Sequence, residues 1–207
     1  MVGPKSVVLA SGNRGKLAEF AQLLAPWAVH VHAQSDFVAE GADETGANFR
    51  ENALLKARHA ARAARMPAIA DDSGLEVDAL DGAPGVYSAR YAGETATDED
   101  NNRKLLASLA SIPAPSLTAR FRCVLAYVRH ADDDSPVIVE GVWEGHVLMQ
   151  PRGEHGFGYD PLFQPLDAPK SAAELSGAEK NQLSHRGKAC GDLLVQLQLH
   201  GELAART

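Results

Sequence analysis

The hydrophobic positions of the first 65 residues form two strand-like runs and two helix-like stripes. Consecutive or alternating apolar residues predict a buried strand over residues 5–11 and a short strand over 29–32. Apolar residues at spacings of three and four predict helices over 16–25 and 47–65. The second helix has the stronger pattern, because alanine dominates it and Pro67 terminates it.

A short apolar run that ends in two carboxylates follows. Residues 66–70 predict a strand with Asp71 and Asp72 at its end, and Ser73-Gly74 predicts a tight turn before a second short strand at 75–80. Adjacent like charges raise each other's pKa, and burying them requires compensation. A divalent cation is the obvious compensating group, and the simpler alternative is a turn whose carboxylates cap nearby backbone groups.

The remainder of the chain predicts a long β-hairpin between helices. Helical spacing of apolar residues predicts a helix over 97–109, with a threonine cap at its start, and a last helix over 186–200. Apolar runs predict two long strands over 119–130 and 136–149, joined by a polar turn. A short strand is predicted at 162–163, after a glycine-rich loop.

This mixture of elements favours an α/β or α+β class with a mixed sheet. The 207 residues suit one large domain or two intimately packed lobes, and we expect a cleft between two such lobes. The best candidate for a linker is the short segment 113–116.

Composition narrows the classes of function. The net charge of −7 argues against binding of nucleic-acid polymers, which requires a basic surface, but an anionic small molecule remains compatible with it. No apolar stretch is long enough to span a membrane, and the N-terminus does not resemble a secretory signal, so we expect a cytoplasmic location. Cys123 and Cys190 lack neighbouring ligands at zinc spacing and are expected to be buried free thiols.

A candidate phosphate-binding loop lies between the first predicted strand and helix. Its sequence, Ser-Gly-Asn-Arg-Gly-Lys at residues 11–16, places glycines and a lysine where backbone N–H groups and the helix dipole attract anions. The spacing is not that of a Walker A loop. Taken alone, the motif is equally compatible with a glycine/asparagine turn that carries an exposed lysine.

Other candidate residues depend on being brought together by the fold. Glu44 precedes the alanine-rich helix and gains importance only if its loop covers the aspartate pair, and Lys56 lies on the polar face of that helix. The basic segment 180–188 could form an anion-binding corner, although its serine could simply cap the last helix. Phe157 and Tyr159 could stack on a planar ring, but aromatic residues of this kind more commonly belong to the core.

Taken in order, these segments resemble the inosine triphosphate pyrophosphatase family over nearly the whole chain, from about residue 6 to about residue 199. The segments that carry the resemblance are Ser11–Lys16, Asp43–Gly46, Glu51–Arg58, Ala70–Leu75, Gly82–Tyr91, Phe157–Pro161 and Ser184–Gly187. The resemblance implies an α/β fold with an elongated mixed sheet and flanking helices, in which a single domain of two lobes surrounds a central cleft, usually as a homodimer.

The resemblance also implies roles for individual residues. Glu44 and Asp72 correspond to the family's Mg²⁺-binding carboxylates, and Asp72 also corresponds to its general base. Lys56 is an implied substrate-binding residue, and Lys16 and Lys56 would stabilise the developing charge. The implied substrate-binding residues are Ser11, Gly12, Asn13, Arg14, Gly15 and Lys16 for the triphosphate, Ser73, and Phe157, Gly158, Tyr159, Asp160, Lys180, His185 and Arg186 for the base.

The implied reaction is Mg²⁺-dependent hydrolysis of ITP, dITP or XTP to the monophosphate and pyrophosphate. A metal-bound aspartate is a poor base, so Asp72 either ligates the metal or accepts the proton, and Asp71 is a reserve candidate. Two other functions remain open at this point. One is a regulatory protein that binds nucleotides without catalysis, and the other is a pyrophosphatase that acts on modified pyrimidine nucleotides.

Overall fold

Six strands form one mixed sheet in the computed structural model, which describes residues 6–112 and 117–203. In chain order the strands are β1 (Ser6–Ala10), β2 (His30–Ala33), β3 (Ala68–Val77), β4 (Thr118–Val128), β5 (Val137–Val147) and β6 (Phe163–Pro165). Across the sheet their order is β2-β1-β3-β4-β5-β6. Strand β1 runs parallel to both β2 and β3, whereas β6 runs antiparallel to β5, so the predicted mixed-sheet α/β fold is confirmed.

The helices agree with the periodicity of the sequence. They are α1 (Arg14–Leu24), α2 (Phe49–Ala64), α3 (Asp98–Leu109), α4 (Gly177–Leu183) and α5 (His185–Leu199). Four of them lie within two residues of their predicted bounds, and α3 begins with the expected threonine cap, in a capping box formed by Thr97 and Asp100. Helix α4 was not predicted, because its seven residues are too few to show a helical period.

Strand β3 corrects the prediction of two short strands separated by a turn. It continues through Ser73 and Gly74 for ten residues, so the aspartate pair lies inside a strand and not at its end. The neighbouring strand β1 does stop at this level, because Ala10 pairs with Ala70. Residue 71 is therefore the first position of β3 beyond the end of β1, which explains why the local sequence resembles a strand end.

The chain divides into two compact units. The first comprises the described residues within Met1–Asp72, Val124–Glu140 and Gly187–Thr207, and the second comprises those within Ser73–Cys123 and Gly141–Arg186. The boundaries fall inside β3, β4, β5 and the first turn of α5, so these four elements contribute residues to both units. The predicted linker at 113–116 lies outside the described residues.

Within the first unit, β1 and the second half of β4 are buried on both faces, whereas β2 is partly exposed. Residues 124–128 of β4 are all buried, and so are Val7 to Ala10 of β1. Helix α2 packs against β1 through alanines, and α1 contacts β2. Parallel strands covered on both faces are expected to be apolar throughout, which explains the continuous hydrophobic runs in this part of the sequence.

Within the second unit the burial pattern alternates. Residues 118–123 of β4 alternate between partly exposed and buried, and 141–147 of β5 do the same, with Trp143 fully buried. The buried positions join a core formed largely by leucine, phenylalanine, tryptophan and alanine side chains. The opposite face carries ion pairs, among them Arg120 with Asp78 at 2.9 Å and with Glu144 at 3.1 Å. One face of this part of the sheet therefore packs on the core and the other is polar.

Within the described residues, no helix combines the length and the apolar character that crossing a membrane requires.

The connection between β4 and β5 depends on one buried carboxylate, Asp133. Its oxygens accept hydrogen bonds from the backbone N–H of Arg129 at 2.9 Å, from the Arg129 guanidinium and from the N–H of Ser135 at 3.0 Å. Hydrogen bonds from Arg129 hold the pKa of Asp133 well below its usual range. The polar turn predicted between the two strands is therefore a structured loop.

We predict that Asp133→Ala lowers the free energy of unfolding by about 2 kcal/mol at pH 7, because four N–H donors lose a charged acceptor. A lowered carboxyl pKa stabilises the fold above the unfolded-state value of about 3.9 and ceases to do so as the pH falls through the folded-state value. Denaturant titrations should therefore show a smaller deficit in acid than at pH 7. The exposed neighbour Asp134→Ala serves as the control, and an equal loss in both variants would contradict the prediction.

Candidate functional site

The two adjacent aspartates of β3 each have their own lysine. The Nζ atom of Lys16 lies 2.5 Å from Oδ1 of Asp71, and the Nζ atom of Lys56 lies 2.5 Å from Oδ1 of Asp72. Lys16 belongs to α1 and Lys56 to α2, so a different helix supplies the partner of each aspartate. The charge compensation that the sequence demanded is therefore supplied by two lysines of the chain itself.

Only the first half of the predicted phosphate-binding motif is a loop, because residues 14–16 belong to α1. Asn13 is the N-cap of α1, and its side chain accepts a hydrogen bond from the backbone N–H of Lys16 at 3.1 Å. Arg14, Gly15 and Lys16 therefore form the first helical turn, whereas helix formation was predicted only from residue 16. Gly12 and Arg14 are exposed, so this end of α1 presents free N–H groups and positive charge to solvent.

Lys56 joins two acidic residues that are 28 positions apart in the sequence. Its ammonium contacts Asp72 and also Oε1 of Glu44 at 3.1 Å. Burial alone lowers the pKa of Lys56, but the charges of Asp72 and Glu44 outweigh it, so the pKa is raised and the lysine stays charged. Burial raises the pKa of Asp72, and Lys56 opposes that shift. Through Lys56 the structure places Glu44 near Asp72. The sequence analysis expected Glu44 to be important only if its loop came close to the aspartate pair.

The loop that carries Glu44 is attached to α2 by a residue that the sequence analysis did not select. The buried side chain of Asn52 accepts a hydrogen bond from the N–H of Gly46 at 2.8 Å. Glu51 likewise accepts from the N–H of Ala47 at 2.8 Å. A Cβ atom at Gly46 would lie 2.6 Å from Oδ1 of Asn52, so glycine is required for this close approach. Asn52 shares a helix face with Lys56, and that spacing is the signal that could have identified it.

The carboxylates of this cluster suit a hard divalent cation. Oδ2 of Asp72 is buried and has no hydrogen-bond partner among the described residues, although Oδ1 is engaged by Lys56. No group of three or more histidine, cysteine, aspartate or glutamate side chains in the described part of the chain could hold a metal alone. Mg²⁺ commonly binds one or two protein carboxylates and takes its remaining ligands from water and substrate phosphates. Asp72 and Glu44 therefore fit Mg²⁺ better than a metal that needs a complete protein cage.

A second polar cluster lies in the second unit, around Asp160. This carboxylate is buried, and its Oδ2 atom lies 2.6 Å from Nζ of Lys180. The same oxygen accepts a hydrogen bond from the N–H of Phe157 at 2.9 Å. A Cβ atom at Gly156 would lie 2.0 Å from it, so the glycine-rich loop closes tightly around Asp160.

The ring of Phe157 is flanked by two cations. Nζ of Lys180 lies 4.8 Å from the ring centroid, and Cζ of Arg186 lies 5.5 Å from it. Arg186 is buried, and its NH2 group donates a hydrogen bond to Oγ of Ser73 at 3.1 Å. An aromatic face with two adjacent cationic donors is suited to a planar, oxygen-bearing ring.

Two predicted base-pocket residues lie in the core of this unit. Tyr159 is buried and donates its hydroxyl hydrogen bond to the backbone oxygen of Ser88 at 2.9 Å, as the core interpretation anticipated. His185 is buried and stacks on Phe121 with ring centroids 4.8 Å apart. Their contact with a ligand stays a prediction, because the described contacts explain both side chains through packing.

The structure brings eight of the predicted residues into two clusters. Glu44, Lys56 and Asp72 form one, with Lys16 on the adjacent Asp71, and Asp160, Lys180 and Phe157 form the other with Arg186. Asp72 and Ser73 are consecutive in the chain, so the boundary between the units falls between two predicted site residues.

We predict that Lys56→Met lowers the free energy of unfolding by about 3 kcal/mol at pH 7, because it leaves Asp72 buried without its partner. The pKa of Asp72, already raised by burial, would rise further. A raised carboxyl pKa costs stability above the unfolded-state value, and the cost disappears as the pH falls through the folded-state value.

Denaturant titrations at pH 7 and pH 5 should therefore show a smaller deficit at the lower pH. The double variant Lys56→Met/Asp72→Asn should recover part of the loss at pH 7, and the exposed Lys170→Met serves as the control. A deficit that is independent of pH and is not reduced in the double variant would contradict this interpretation of the pair.

Comparisons with known proteins identify the family to which the chain belongs. A model of the Ham1 family matches residues 7–196. A dITP/XTP pyrophosphatase of Shewanella oneidensis is 55% identical over 202 residues, which cover 98% of each chain. The corresponding protein of Vibrio parahaemolyticus is 54% identical over 193 residues, covering 93% of this chain and 96% of the relative.

Solved structures give the same result. The HAM1 protein from Coxiella burnetii is 45% identical and superposes with a TM-score of 0.85, covering 96% of this chain and all of the other. A nucleoside-triphosphatase, or dITP/XTP pyrophosphatase, from Mycobacterium abscessus is 42% identical with a TM-score of 0.72, covering 91% of this chain and 98% of the other. Because both the family model and these relatives extend over nearly all of its length, the chain belongs to the Ham1 family.

Proposed function

We propose that this protein is a Mg²⁺-dependent nucleoside triphosphate pyrophosphohydrolase that converts ITP, dITP and XTP to the monophosphate and pyrophosphate. The observation that carries the proposal is the buried group in which Lys56 joins Asp72 and Glu44, with Lys16 on the adjacent aspartate. Relatives that are more than half identical over nearly the full chain are dITP/XTP pyrophosphatases, which supports a pyrophosphatase acting on nucleoside triphosphates.

The start of α1 is the proposed binding site for the triphosphate. Free N–H groups in the first turn and the positive end of the helix dipole favour anions there. Lys16 adds a positive charge, and its bond to the buried carboxylate of Asp71 holds the ammonium in place. This end of the helix therefore suits the β- and γ-phosphates, which become the departing pyrophosphate.

Glu44 and Asp72 are the proposed Mg²⁺ ligands. When bound, the ion would neutralise charge on the phosphate oxygens, which is the main catalytic requirement of phosphoryl-type transfer. The unpartnered Oδ2 atom of Asp72 supports this assignment, because a buried carboxylate oxygen without a donor is costly unless a ligand engages it.

The remaining assignment is the group that accepts the proton of the attacking water. The oxygen of the water bonds to the α-phosphorus, the bond from that phosphorus to the β-phosphate bridging oxygen breaks, and pyrophosphate leaves. We propose that Oδ2 of Asp72 fills one of two roles. Either it ligates Mg²⁺ and another group accepts the proton, with Asp71 as the reserve candidate, or it holds the water and accepts its proton while Glu44 serves as the protein ligand of the ion. In both cases Lys56 keeps Oδ1 fixed and stabilises the charge that develops.

The cluster around Phe157 is the proposed site for the base. Its ring offers a stacking surface, and Lys180 and Arg186 are donors that suit the 6-oxo group of hypoxanthine or xanthine. Adenine would place its 6-amino donor against these donors, and each unpaired buried polar group costs about 1–3 kcal/mol. The cytoplasmic location expected from the sequence and the homodimer implied by the family resemblance belong to the same proposal.

The test of this function is pyrophosphate release from a panel of ITP, dITP, XTP, GTP, ATP and modified dUTP, each with and without Mg²⁺. We expect rapid release from the first three only, and only with Mg²⁺. Preference for the modified pyrimidine nucleotide would instead favour the alternative pyrophosphatase. Absence of release from every nucleotide, combined with measurable binding, would favour a regulatory nucleotide-binding protein.

We predict that Asp72→Asn abolishes ITP turnover while the affinity for ITP changes by less than about tenfold, or roughly 1.4 kcal/mol. The amide keeps the shape of the side chain but cannot accept a proton or serve as an anionic metal ligand. Steady-state kinetics and equilibrium binding of the same preparation check both parts. The exposed Asp134→Asn should match the wild type, and turnover near the wild-type rate in Asp72→Asn would remove its proposed role.

A further inference from the structure

Both polar backbone groups of Gly158 are bound by side chains of helix α3. Its N–H donates a hydrogen bond to Oδ2 of Asp98 at 2.7 Å, and its carbonyl oxygen accepts one from Nδ2 of Asn102 at 2.9 Å. Asp98 and Asn102 are four residues apart, so they lie on one face of α3. Neither residue has a role in the function proposed above.

This pair of hydrogen bonds fixes a conformation that glycine would otherwise leave free. The N–H belongs to the peptide plane before Gly158 and the carbonyl to the plane after it, so the two bonds together set the backbone angles of Gly158. Its φ of +62° lies in the left-handed region that favours glycine, and a Cβ atom there would contact nothing within 4 Å. Glycine is therefore required at residue 158 for its backbone conformation, and α3 selects that conformation.

The orientation of the Asn102 amide supports a dedicated contact. Its Oδ1 atom is buried and has no hydrogen-bond partner among the described residues. The bond from Nδ2 to Gly158 is thus the interaction that fixes the orientation of the amide. Reversing the amide would set two carbonyl oxygens against each other.

Fixing the backbone of Gly158 affects Phe157, the residue that precedes it. Tyr159, on the other side, is already fixed by burial and by its bond to Ser88. The N–H of Phe157 donates a hydrogen bond to Asp160. The backbone angles of Gly158 therefore determine the orientation of Phe157 relative to the fixed Tyr159. The groove between α3 and the glycine-rich loop is lined by Asp98, Asn102, Phe157 and Gly158.

We propose that Asp98 and Asn102 are positioning residues for the base end of the site, because they hold Gly158 in the conformation that presents the Phe157 ring to a purine. The inference rests on the proposed function, since it assigns the loop 156–160 to the base. It extends the proposed function to α3, whose exposed first turn otherwise contributes only a capping box to its own helix.

Alanine variants at the two positions test the proposal through product inhibition. Loss of one hydrogen bond to the loop should raise the inhibition constant of IMP, and the KM for ITP, by about fivefold with kcat within twofold. The inhibition constant of inorganic pyrophosphate, which carries no base, should stay within twofold. A general structural defect would weaken both products, so the difference between them is the decisive readout.

Conservative and neighbouring variants provide the controls. Asp98→Asn retains a carbonyl oxygen that accepts from Gly158 and should keep the inhibition constant of IMP within twofold of the wild type. Glu99→Ala, one residue along the exposed first turn, should do the same. Hydrogen exchange of a peptide that covers residues 154–160, measured without nucleotide, should be faster in Asp98→Ala than in either control.

The outcomes separate this inference from the proposed function. If the wild type hydrolyses ITP but Asp98→Ala and Asn102→Ala leave IMP inhibition within twofold, the positioning role is overturned while the function stands. If the wild type neither hydrolyses ITP nor binds IMP, both are overturned. An equal rise in the inhibition constants of IMP and pyrophosphate would overturn the positioning role, because it would show that α3 supports the loop only structurally.

Discussion

The burial of two consecutive carboxylates in an unbroken strand is the constraint on which the first unit depends. Asp71 and Asp72 bring two negative charges into a buried part of the strand, and each needs a cation at contact distance. Two cations are therefore needed, and α1 and α2 supply them as Lys16 and Lys56. The positions of both helices are thus tied to the chemistry of one dipeptide.

This constraint explains features that otherwise look independent. Helix α2 must come close enough to the sheet for Lys56 to reach Asp72, and its buried alanines allow that approach. Helix α1 must begin directly after β1, because Lys16 has to reach residue 71 just beyond the last paired residue of that strand. The asparagine cap at residue 13 starts the helix at the required position.

The sequence predicted most elements correctly, because hydrophobic period and cap residues are local signals. It could not show that β3 continues through Ser73-Gly74, since turn residues inside a strand look the same as turn residues between strands. The partner of Asp72 was likewise invisible, because Lys56 is 16 positions away and only the packing of α2 brings it there. The clamp on Gly158 joins residues about 60 positions apart and has no local pattern at all.

The choice of lysine as the compensating group also bears on the proposed metal. A site that balanced its buried carboxylates with Mg²⁺ alone would leave them uncompensated whenever the ion departed, at a cost of several kcal/mol. Here the chain's own ammonium groups stabilise Asp71 and Asp72. The unpartnered oxygen of Asp72 and the half-buried carboxylate of Glu44 are the proposed ligands of an ion that would arrive with the phosphates of a substrate. On this arrangement the proposed metal serves turnover, while the stability of the fold rests on the lysines.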